Sequence, residues 1–354
     1  MTRLDALIDV LKLQAQACSA MGSPFSGGLL ARAAAAVPAD TEFQLAFAPW
    51  AGKSAREIFA DAAPLRWLGA MHNAALAAPD SPLAATYPSP ERAGDASAAW
   101  THVIDLMRHR LDEVVAFMRH EPQTNEVRRS AVLAPGFLSV AVATSLPMRI
   151  LELGASAGLN QLWDRRRYQL GPENAWGPAN ASVVIDAEWR GPPPPLEAEV
   201  AVASRGACDR APLDLNDPSQ RRRLRAYLWP DQLDRLARFD AAVAETLAAS
   251  VRVDTADAVV WTQANAAPRL GVATVVFHSV FIQYMPAESQ AALADTLNRY
   301  GGEATVEGPL AWLRMEPAPK APAVMELRLT LWPNGEDRLL AHAHPHGAWI
   351  EWRG

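Results

Sequence analysis

A short apolar run followed by two closely spaced glycines sets the class of fold that this chain can adopt. Residues 150–153 are apolar apart from Glu152, and Gly154 and Gly158 follow. Such a run predicts a buried parallel strand that turns sharply into a helix. Glycines in that turn let a ligand approach the backbone, and the helix would aim free N–H groups at the same place. The stretch therefore predicts the ligand-binding turn of a doubly wound α/β domain.

The spacing of residues within this turn limits which ligands it could bind. The dinucleotide fingerprint needs glycines at its third and sixth positions, where this chain has Ser156 and Leu159. The turn also lacks the Gly-Lys-Ser/Thr ending of a phosphate loop. The carboxylate of Glu152 would repel a pyrophosphate but attract an ammonium or a sulfonium group. S-adenosylmethionine carries both groups and no phosphate, so it is the predicted cofactor; the alternative is a glycine turn without a ligand.

Composition excludes several classes of protein. A net charge of -6 argues against tight nonspecific binding of nucleic acid. Cys18 and Cys208 are too few for a disulfide framework or a thiolate metal cage, which predicts free thiols in a reducing compartment. Asp5, Asp9 and Lys12 interrupt the apolar N-terminal stretch, so we do not expect a secretion signal there.

One uncharged segment, residues 130–148, raises the question of a membrane span. Pro135, Gly136 and Pro147 interrupt it, and it leads directly into the strand before the glycine turn. We therefore predict a buried helix and no membrane span. Together these features predict a cytoplasmic protein that binds a small molecule and neither nucleic acid nor membrane. The sequence leaves the oligomeric state open.

Apolar spacing divides the chain near residue 121. Residues 1–120 show helical spacing, broken by prolines at 78–90, and strand-like runs alternate with helices afterwards. Residues 169–199 read as an insertion that covers the crevice. The last two predicted strands pair as an antiparallel terminal hairpin. The seven predicted strands are residues 149–153, 200–203, 251–253, 273–277, 310–315, 325–332 and 348–352.

Several short motifs carry a family resemblance. They are Gln-Thr-Asn-Glu at 123–126 with Arg129, the turn at 151–160, Glu-Trp-Arg-Gly at 188–191, Pro-Leu-Asp at 212–214, Trp-Pro-Asp-Gln at 229–232, His-Ser-Val at 278–280 with Gln283 and Tyr284, and His-Pro-His-Gly at 344–347. On these motifs nearly the whole chain resembles a bacterial domain-of-unknown-function family. Through the turn and the strand order it also resembles class I S-adenosylmethionine-dependent methyltransferases.

The resemblance implies an architecture and an activity. The implied fold is α/β and Rossmann-like: a mainly parallel seven-stranded sheet with a terminal antiparallel hairpin at 121–354. A helical N-terminal domain at 1–120 would serve as a lid or as part of the acceptor pocket. The implied activity is transfer of a methyl group from S-adenosylmethionine to an unknown, small-molecule acceptor. The alternative is a noncatalytic cofactor-binding or scaffold protein with the same fold.

In this fold the cofactor lies across the carboxyl ends of the strands. Glu152 and the glycine turn would meet its methionine part. Asp209 is assigned to the ribose hydroxyls, with Asp186 as the rival and a capping aspartate as the alternative for both. Asp257 would accept from the adenine amino group, unless it caps the helix that follows. The predicted cofactor-binding residues are Glu152, Gly154, Ser156, Gly158, Asn160, Asp209, Asp257 and Ala258.

The end of the fourth predicted strand carries the catalytic candidates, His278 and Tyr284. A histidine there is suited to take a proton from a nucleophile, since its ordinary pKa lies near neutrality. The alternative is a histidine that only hydrogen-bonds across the crevice. The predicted substrate-binding residues are Asn125, Glu126, Arg129 and Gln283. A pair between Glu126 and Arg129, one helical turn apart, is the alternative for those two.

Three alternating histidines, His342, His344 and His346, raise the question of a metal. Pro345 disrupts the strand on which they would share a face, and no cysteine or carboxylate is close in sequence. No metal is predicted, and a metal-dependent hydrolase stays as a third hypothesis. The arginine clusters at 165–167 and 221–225 are interpreted as solvated helix faces.

Overall fold

The computed structural model describes residues 4–354, which separate into two compact units. The first unit comprises the chain up to Thr124 together with Leu215–Ala237. The second comprises Asn125–Asp214 and Arg238–Gly354. Residues 215–237 were predicted to belong to the α/β part of the chain, whereas in the structure they pack with the helical first unit.

Helices and strands are formed throughout the described residues. The helices are α1 Asp5–Ala20, α2 Pro24–Ala36, α3 Thr41–Ala46, α4 Ala55–Ala60, α5 Ala63–Ala77, α6 Ala96–His109, α7 Leu111–Met118, α8 Ser130–Thr144, α9 Pro218–Ala226, α10 Leu233–Ala248, α11 Ala258–Asn265 and α12 Ala287–Glu303. The strands are β1 Met148–Leu153, β2 Arg167–Leu170, β3 Asn174–Trp176, β4 Val184–Arg190, β5 Val202–Asp209, β6 Asp254–Thr255, β7 Ala273–Ser279, β8 Leu310–Ala318, β9 Ala321–Trp332, β10 Glu336–Ala343 and β11 Trp349–Trp352.

The first unit is helical, with an aromatic core. Phe43, Phe47 and Trp67 are fully buried and pack against one another. Residues after Asp214 join this unit because the buried ring of His72 donates from Nδ1 to the carbonyl oxygens of Ala226 and Leu228, at 3.2 and 3.0 Å. These two bonds satisfy carbonyl groups at the end of α9 that the helix itself leaves unpaired.

A single eleven-stranded sheet forms the centre of the second unit. Its order is β3-β2-β4-β11-β10-β9-β8-β7-β1-β5-β6. Six neighbouring pairs are parallel and four are antiparallel. The run β8-β7-β1-β5-β6 is parallel throughout. A helical N-terminal region followed in the sequence by a mainly parallel sheet was predicted and is confirmed, but seven strands were too few.

The predicted hairpin between residues 325–332 and 348–352 is wrong. β10 lies between β9 and β11 and pairs antiparallel with both. Glu336, Asp337 and Arg338 open β10 and are exposed, so its alternating buried pattern begins only near its middle. A strand whose first residues are all charged resembles a loop in the sequence.

Residues 169–199 extend the sheet. They form β3, β4 and the end of β2, and β4 joins the sheet through its parallel pairing with β11. Ile185 and Ala187 alternate with exposed neighbours along β4, which gives the strand one buried face. The segment therefore forms the edge of the sheet opposite β6, and Trp176 of β3 stacks on Trp163 with ring centroids 5.5 Å apart. A cover over the crevice by this segment stays a prediction.

Helices cover both faces of the sheet. On one face Phe137 of α8 packs edge-on against Phe277 of β7, with ring centroids 5.0 Å apart. On the other, Leu151 and Val276 share a buried cluster with Trp261 of α11 and with α12. The uncharged segment that includes α8 is thus a buried helix, as predicted. Within residues 4–354 no helix combines the length and the apolarity that a bilayer crossing requires.

The direction of the strand order reverses at β1. Of the two strands beside β1, β5 leads on to β6 and β7 leads on to β8, on opposite sides. Ligands of open α/β sheets bind outside the carboxyl ends of the strands at such a point. We name the segments after β1, β5 and β7, residues 154–158, 209–211 and 280–284, the switch edge.

Candidate functional site

The turn after β1 has the left-handed backbone that its glycines suggest. Gly154 and Gly158 have φ values of 66° and 74°. Ser156 lies between them with a φ of 53°, a conformation that costs a non-glycine residue free energy. Its N–H donates to the Oδ2 atom of Asp209 at 2.8 Å, and this bond holds the backbone in place. The glycine turn is therefore tied to the acidic end of the neighbouring strand.

The helix expected after the turn is a short 3-10 helix, Leu159–Arg165. The segment is kinked at Leu162, which has φ -103° and ψ 29°, and the carbonyl oxygen of Leu159 accepts a hydrogen bond from the guanidinium of Arg166. The Leu159 N–H donates to Oδ1 of Asn125 at 3.0 Å. The expected array of free N–H groups is thus reduced, because one of them already has a side-chain partner.

Asp209 lies directly beside the end of β1. It ends β5, and the preceding residue, Cys208, is opposite Leu153 at the end of β1. Its Oδ1 atom also accepts from the N–H of Ala211 at 2.9 Å. The rival, Asp186, is on β4, and five strands separate β4 from β1 in the sheet. Of the two carboxylates, only Asp209 is at the switch edge.

Asp257 caps a helix. Its Oδ1 atom accepts from the N–H groups of Val259 and Val260 at 2.9 and 3.2 Å, which is the N-cap arrangement for α11. Ala258 is the first residue of that helix and is buried. This is the capping alternative considered for Asp257, and the contact with adenine stays a prediction.

Glu152 is buried beneath the turn. It lies in β1 with its side chain on the face covered by α8, and Gln161 Nε2 donates to its Oε2 atom at 3.0 Å. Burial raises the pKa of Glu152 to about 8, although Gln161 and Arg166 favour the charged form. Within residues 4–354 the Oε1 atom of Gln161 has no hydrogen-bond partner. Burial therefore favours the protonated form of Glu152.

Arg166 contradicts the interpretation of residues 165–167 as a solvated face. Its side chain is fully buried and pairs with Glu245 at 3.4 Å. Its Nη1 atom donates to Oγ of Ser130 at 3.2 Å and lies 3.5 Å from Oδ1 of Asn160. Only Arg165 of the three is exposed. The burial was not foreseen from the sequence, because two of its partners, Ser130 and Glu245, come from α8 and α10.

His278 is fully buried, and both of its ring nitrogens are occupied. The indole N–H of Trp312 donates to Nε2 at 3.0 Å. An indole nitrogen is only a donor, so Nε2 is unprotonated and the proton is on Nδ1. Nδ1 then donates to Oε1 of Glu316 at 2.6 Å. Both partners of His278 lie on the neighbouring strand β8, and its role as a base stays a prediction.

Glu316 was missed by the sequence analysis. Besides His278, both of its carboxylate oxygens accept from the N–H of Phe281, at 3.0 and 3.1 Å. Its position directly after the predicted fifth strand could have identified it as a site residue. That strand, β8, is the parallel neighbour of β7. Carboxyl ends of such neighbours meet at one edge of the sheet.

Phe281 lies against the glycine turn. A Cβ atom on Gly154 would overlap the ring of Phe281, so the space that the glycine leaves open is filled by this ring. The preceding residue, Val280, has a φ of 53°. Gln283 and Tyr284 follow in a 3-10 turn and are exposed, Tyr284 to 73%. The corner that the glycines were expected to leave open to a ligand is closed by this bulky ring, which counts against a cofactor bound there.

The predicted substrate-side residues meet the switch edge through Arg129. Its Nε atom donates to the carbonyl oxygen of Pro345 at 3.1 Å, and its Nη1 atom donates to that of Ser279 at 3.4 Å. Asn160 donates from Nδ2 to the carbonyl oxygen of Glu126 at 3.4 Å. Asn125, Glu126 and Arg129 thus connect the segment before α8 with the ends of β1 and β7.

Glu126 and Arg129 do not lie on one α-helix. Glu126 has a ψ of 111° and its side chain accepts from the Arg128 N–H, which caps a 3-10 helix at Val127–Arg129. Glu126 is nevertheless buried. Burying the carboxyl group of Glu126 costs free energy, and its hydrogen bonds offset this cost.

The terminal histidines do not converge. His342 is on β10, 3.9 Å from the carboxylate of Glu326. His344 and His346 lie in the turn before β11, where Nδ1 of His344 accepts from the His346 N–H at 3.0 Å. Across residues 4–354 no group of three or more His, Cys, Asp or Glu side chains is arranged to hold a metal ion.

Comparison with known proteins places the chain in a family. Residues 9–352 match the family described as "Uncharacterized protein conserved in bacteria (DUF2332)". The chain belongs to the DUF2332 family. The predicted resemblance to a bacterial family of unknown function is confirmed. No curated protein and no solved structure matches the chain, so the resemblance to methyltransferases has no support from these comparisons.

In this DUF2332 chain, residues with strained backbone conformations cluster at the switch edge and in the segment before α8. Six described residues other than glycine have a positive φ, and three of them are Asn125, Ser156 and Val280. Such residues persist only where their surroundings hold them, and they cluster at ligand sites and switches. The edge therefore combines strain, a buried protonatable carboxyl group and a second carboxylate, Asp209, that is partly exposed.

Proposed function

We propose that the switch edge binds S-adenosylmethionine and that this chain transfers the methyl group to a small-molecule acceptor. One observation carries the proposal: Asp209 ends the strand beside β1 and holds the glycine turn through Ser156. This is the position at which an acidic residue meets a ribose in nucleotide-binding α/β folds. The helical N-terminal region as a lid or acceptor pocket is part of the same proposal.

The residues at the edge suit the chemistry of this cofactor. Each carboxylate oxygen of Asp209 accepts one backbone N–H and retains acceptor capacity for a ribose hydroxyl. Glu152 lies one residue before the end of β1, and a cation nearby would favour its charged form. Bound there, S-adenosylmethionine would supply an activated methyl group. Phe281 opposes this fit, because its ring fills the space at Gly154.

The geometry assigns different roles to the two catalytic candidates. His278 has no unoccupied ring nitrogen, so we propose it as a positioning residue that orients Glu316 and, through it, Phe281. Tyr284 presents its side chain to solvent at the edge and stays the catalytic candidate. Positioning of reactants supplies about 7–11 kcal/mol of a barrier, whereas a general base contributes about 10²–10⁴-fold. An enzyme of this kind does not require His278 as a base.

A noncatalytic cofactor-binding protein is the second candidate. The same observation on His278 favours it, because the most plausible proton acceptor at this edge is already hydrogen-bonded on both sides. The two candidates differ in turnover. Methyl-labelled S-adenosylmethionine incubated with a fractionated small-molecule extract yields a labelled product only if the chain is an enzyme.

Cofactor binding is tested by calorimetric titration of the whole chain with S-adenosylmethionine. We expect Asp209→Asn to weaken binding about 10- to 150-fold, because a hydrogen bond to a charged group contributes roughly 1.5–3 kcal/mol. Asp186→Asn is the matched control and leaves the affinity unchanged, since β4 is remote from β1. Absence of heat and of a thermal shift at millimolar cofactor would refute the proposal, and the reverse order of the variants would move the ribose contact to Asp186.

A further inference from the structure

The ring of Phe281 occupies the place at the switch edge where Gly154 leaves the backbone bare. Gly154 has no Cβ, and the nearest atoms to the position of a Cβ all belong to this ring. A glycine in a ligand-binding turn serves close approach of the ligand to the backbone. In this structure the approaching group is a side chain of the same chain.

A defined set of contacts holds the backbone of Phe281. Its N–H donates to both carboxylate oxygens of Glu316, and Glu316 accepts from His278, which in turn accepts from Trp312. The His278 and Phe281 rings also touch, with centroids 5.5 Å apart. The backbone at this point is therefore fixed by β7 and β8, whereas the side chain is only partly buried and packs against the cluster that includes Leu151 and Trp261.

The residue before Phe281 is held in an unfavourable conformation. Val280 is β-branched and has a φ of 53°, where a bulky residue is a true outlier. Its N–H donates to the carbonyl oxygen of Met315 at 2.8 Å, so β8 maintains the conformation. Strained residues at loops of this kind accompany ligand clamps and switches.

We propose that Phe281 is a gate that closes the adenosine site until a ligand displaces its ring from Gly154. The inference rests on the proposed function and adds the regulation of that same site. The closed ring and an adenosine derivative compete for one volume, so ligand binds only the open fraction of molecules. The measured affinity is then the intrinsic affinity reduced by that fraction.

The proposal predicts that removal of the ring strengthens binding. With an open fraction of about 0.1–10%, as is usual for minor conformations, Phe281→Ala should bind S-adenosylhomocysteine at least about tenfold more tightly than the unchanged chain. Phe281→Leu keeps an apolar side chain that is smaller and should show a smaller gain. Phe59→Ala, at an exposed phenylalanine, is the matched control and should change nothing.

Kinetics of the unchanged chain provide a second readout that does not depend on any variant. The observed association rate should level off with rising S-adenosylhomocysteine, because opening of the ring becomes limiting, and Phe281→Ala should remove this plateau. Equal affinities and no plateau would overturn the gate while leaving the proposed function in place. Failure of both the unchanged chain and Phe281→Ala to bind would overturn both proposals.

Discussion

Glu152→Gln should stabilise the folded protein by roughly 3–5 kcal/mol at about pH 9 and by little at about pH 4. Burial raises the pKa of Glu152 to about 8, while the unfolded chain ionises this group near 4.5. The folded state therefore binds the extra proton between these values. Its stability is full below about pH 4.5 and falls as the pH rises through about 8. Glutamine keeps the acceptor for Gln161 and cannot ionise.

Urea unfolding of both proteins across this range of pH measures the effect. Glu336→Gln, at an exposed position on β10, is the matched control and should show no pH-dependent difference. A gain for Glu152→Gln that is the same at every pH, or a loss at alkaline pH, would contradict the assignment of a buried and protonated carboxyl group.

Arg166→Met should destabilise the second unit by about 3–5 kcal/mol, the usual cost of removing one partner of a buried ion pair. The substitution leaves the carboxylate of Glu245 and the carbonyl oxygen of Leu159 without the guanidinium. Arg165→Met, at the exposed neighbour, should change stability by about 0.5 kcal/mol or less. The cost arises from the charge left behind, so adding Glu245→Gln should recover part of it.

Chemical denaturation of the three variants, followed by tryptophan fluorescence, checks this order. Trp163 lies in the same 3-10 helix as Leu159 and stacks on Phe137, so its signal reports on this region. Equal stability of Arg166→Met and Arg165→Met would show that the buried pairing with Glu245 does not contribute.

The sequence pattern correctly predicted those features of the fold that depend only on residues close together in the chain. The strand at 149–153 and the turn after it were found because an apolar run and two glycines are contiguous in the sequence. The capping role of Asp257 was also foreseen as an alternative, since a cap involves only the next three residues. Such features need no knowledge of distant partners.

The missed features all depend on residues that are far apart in sequence. β10 opens with charged residues and is recognised as a strand only through its two neighbours. Arg166 is buried because α8 and α10 supply its partners. The ring of Phe281 reaches Gly154 because β7 and β1 are adjacent. The periodicity of apolar residues does not reveal these long-range contacts, because they depend on which strands pair.

The candidate site was predicted in part for the same reason. The ends of β1 and β5 were expected to meet, and Asp209 lies there beside the glycine turn. The occupancy of His278 by Trp312 and Glu316 was not predicted, because both partners come from β8. A histidine at a strand end indicates a site, whereas its protonation and its role depend on the neighbouring strand.

The most direct test is a crystal structure of the chain grown with saturating S-adenosylhomocysteine. We predict density for the ligand between the carboxyl ends of β1 and β7, with a ribose hydroxyl on Asp209 and the ring of Phe281 turned away from Gly154. A structure in which this ligand is bound elsewhere, or in which the ring still rests on Gly154 with no ligand at the edge, would contradict the account.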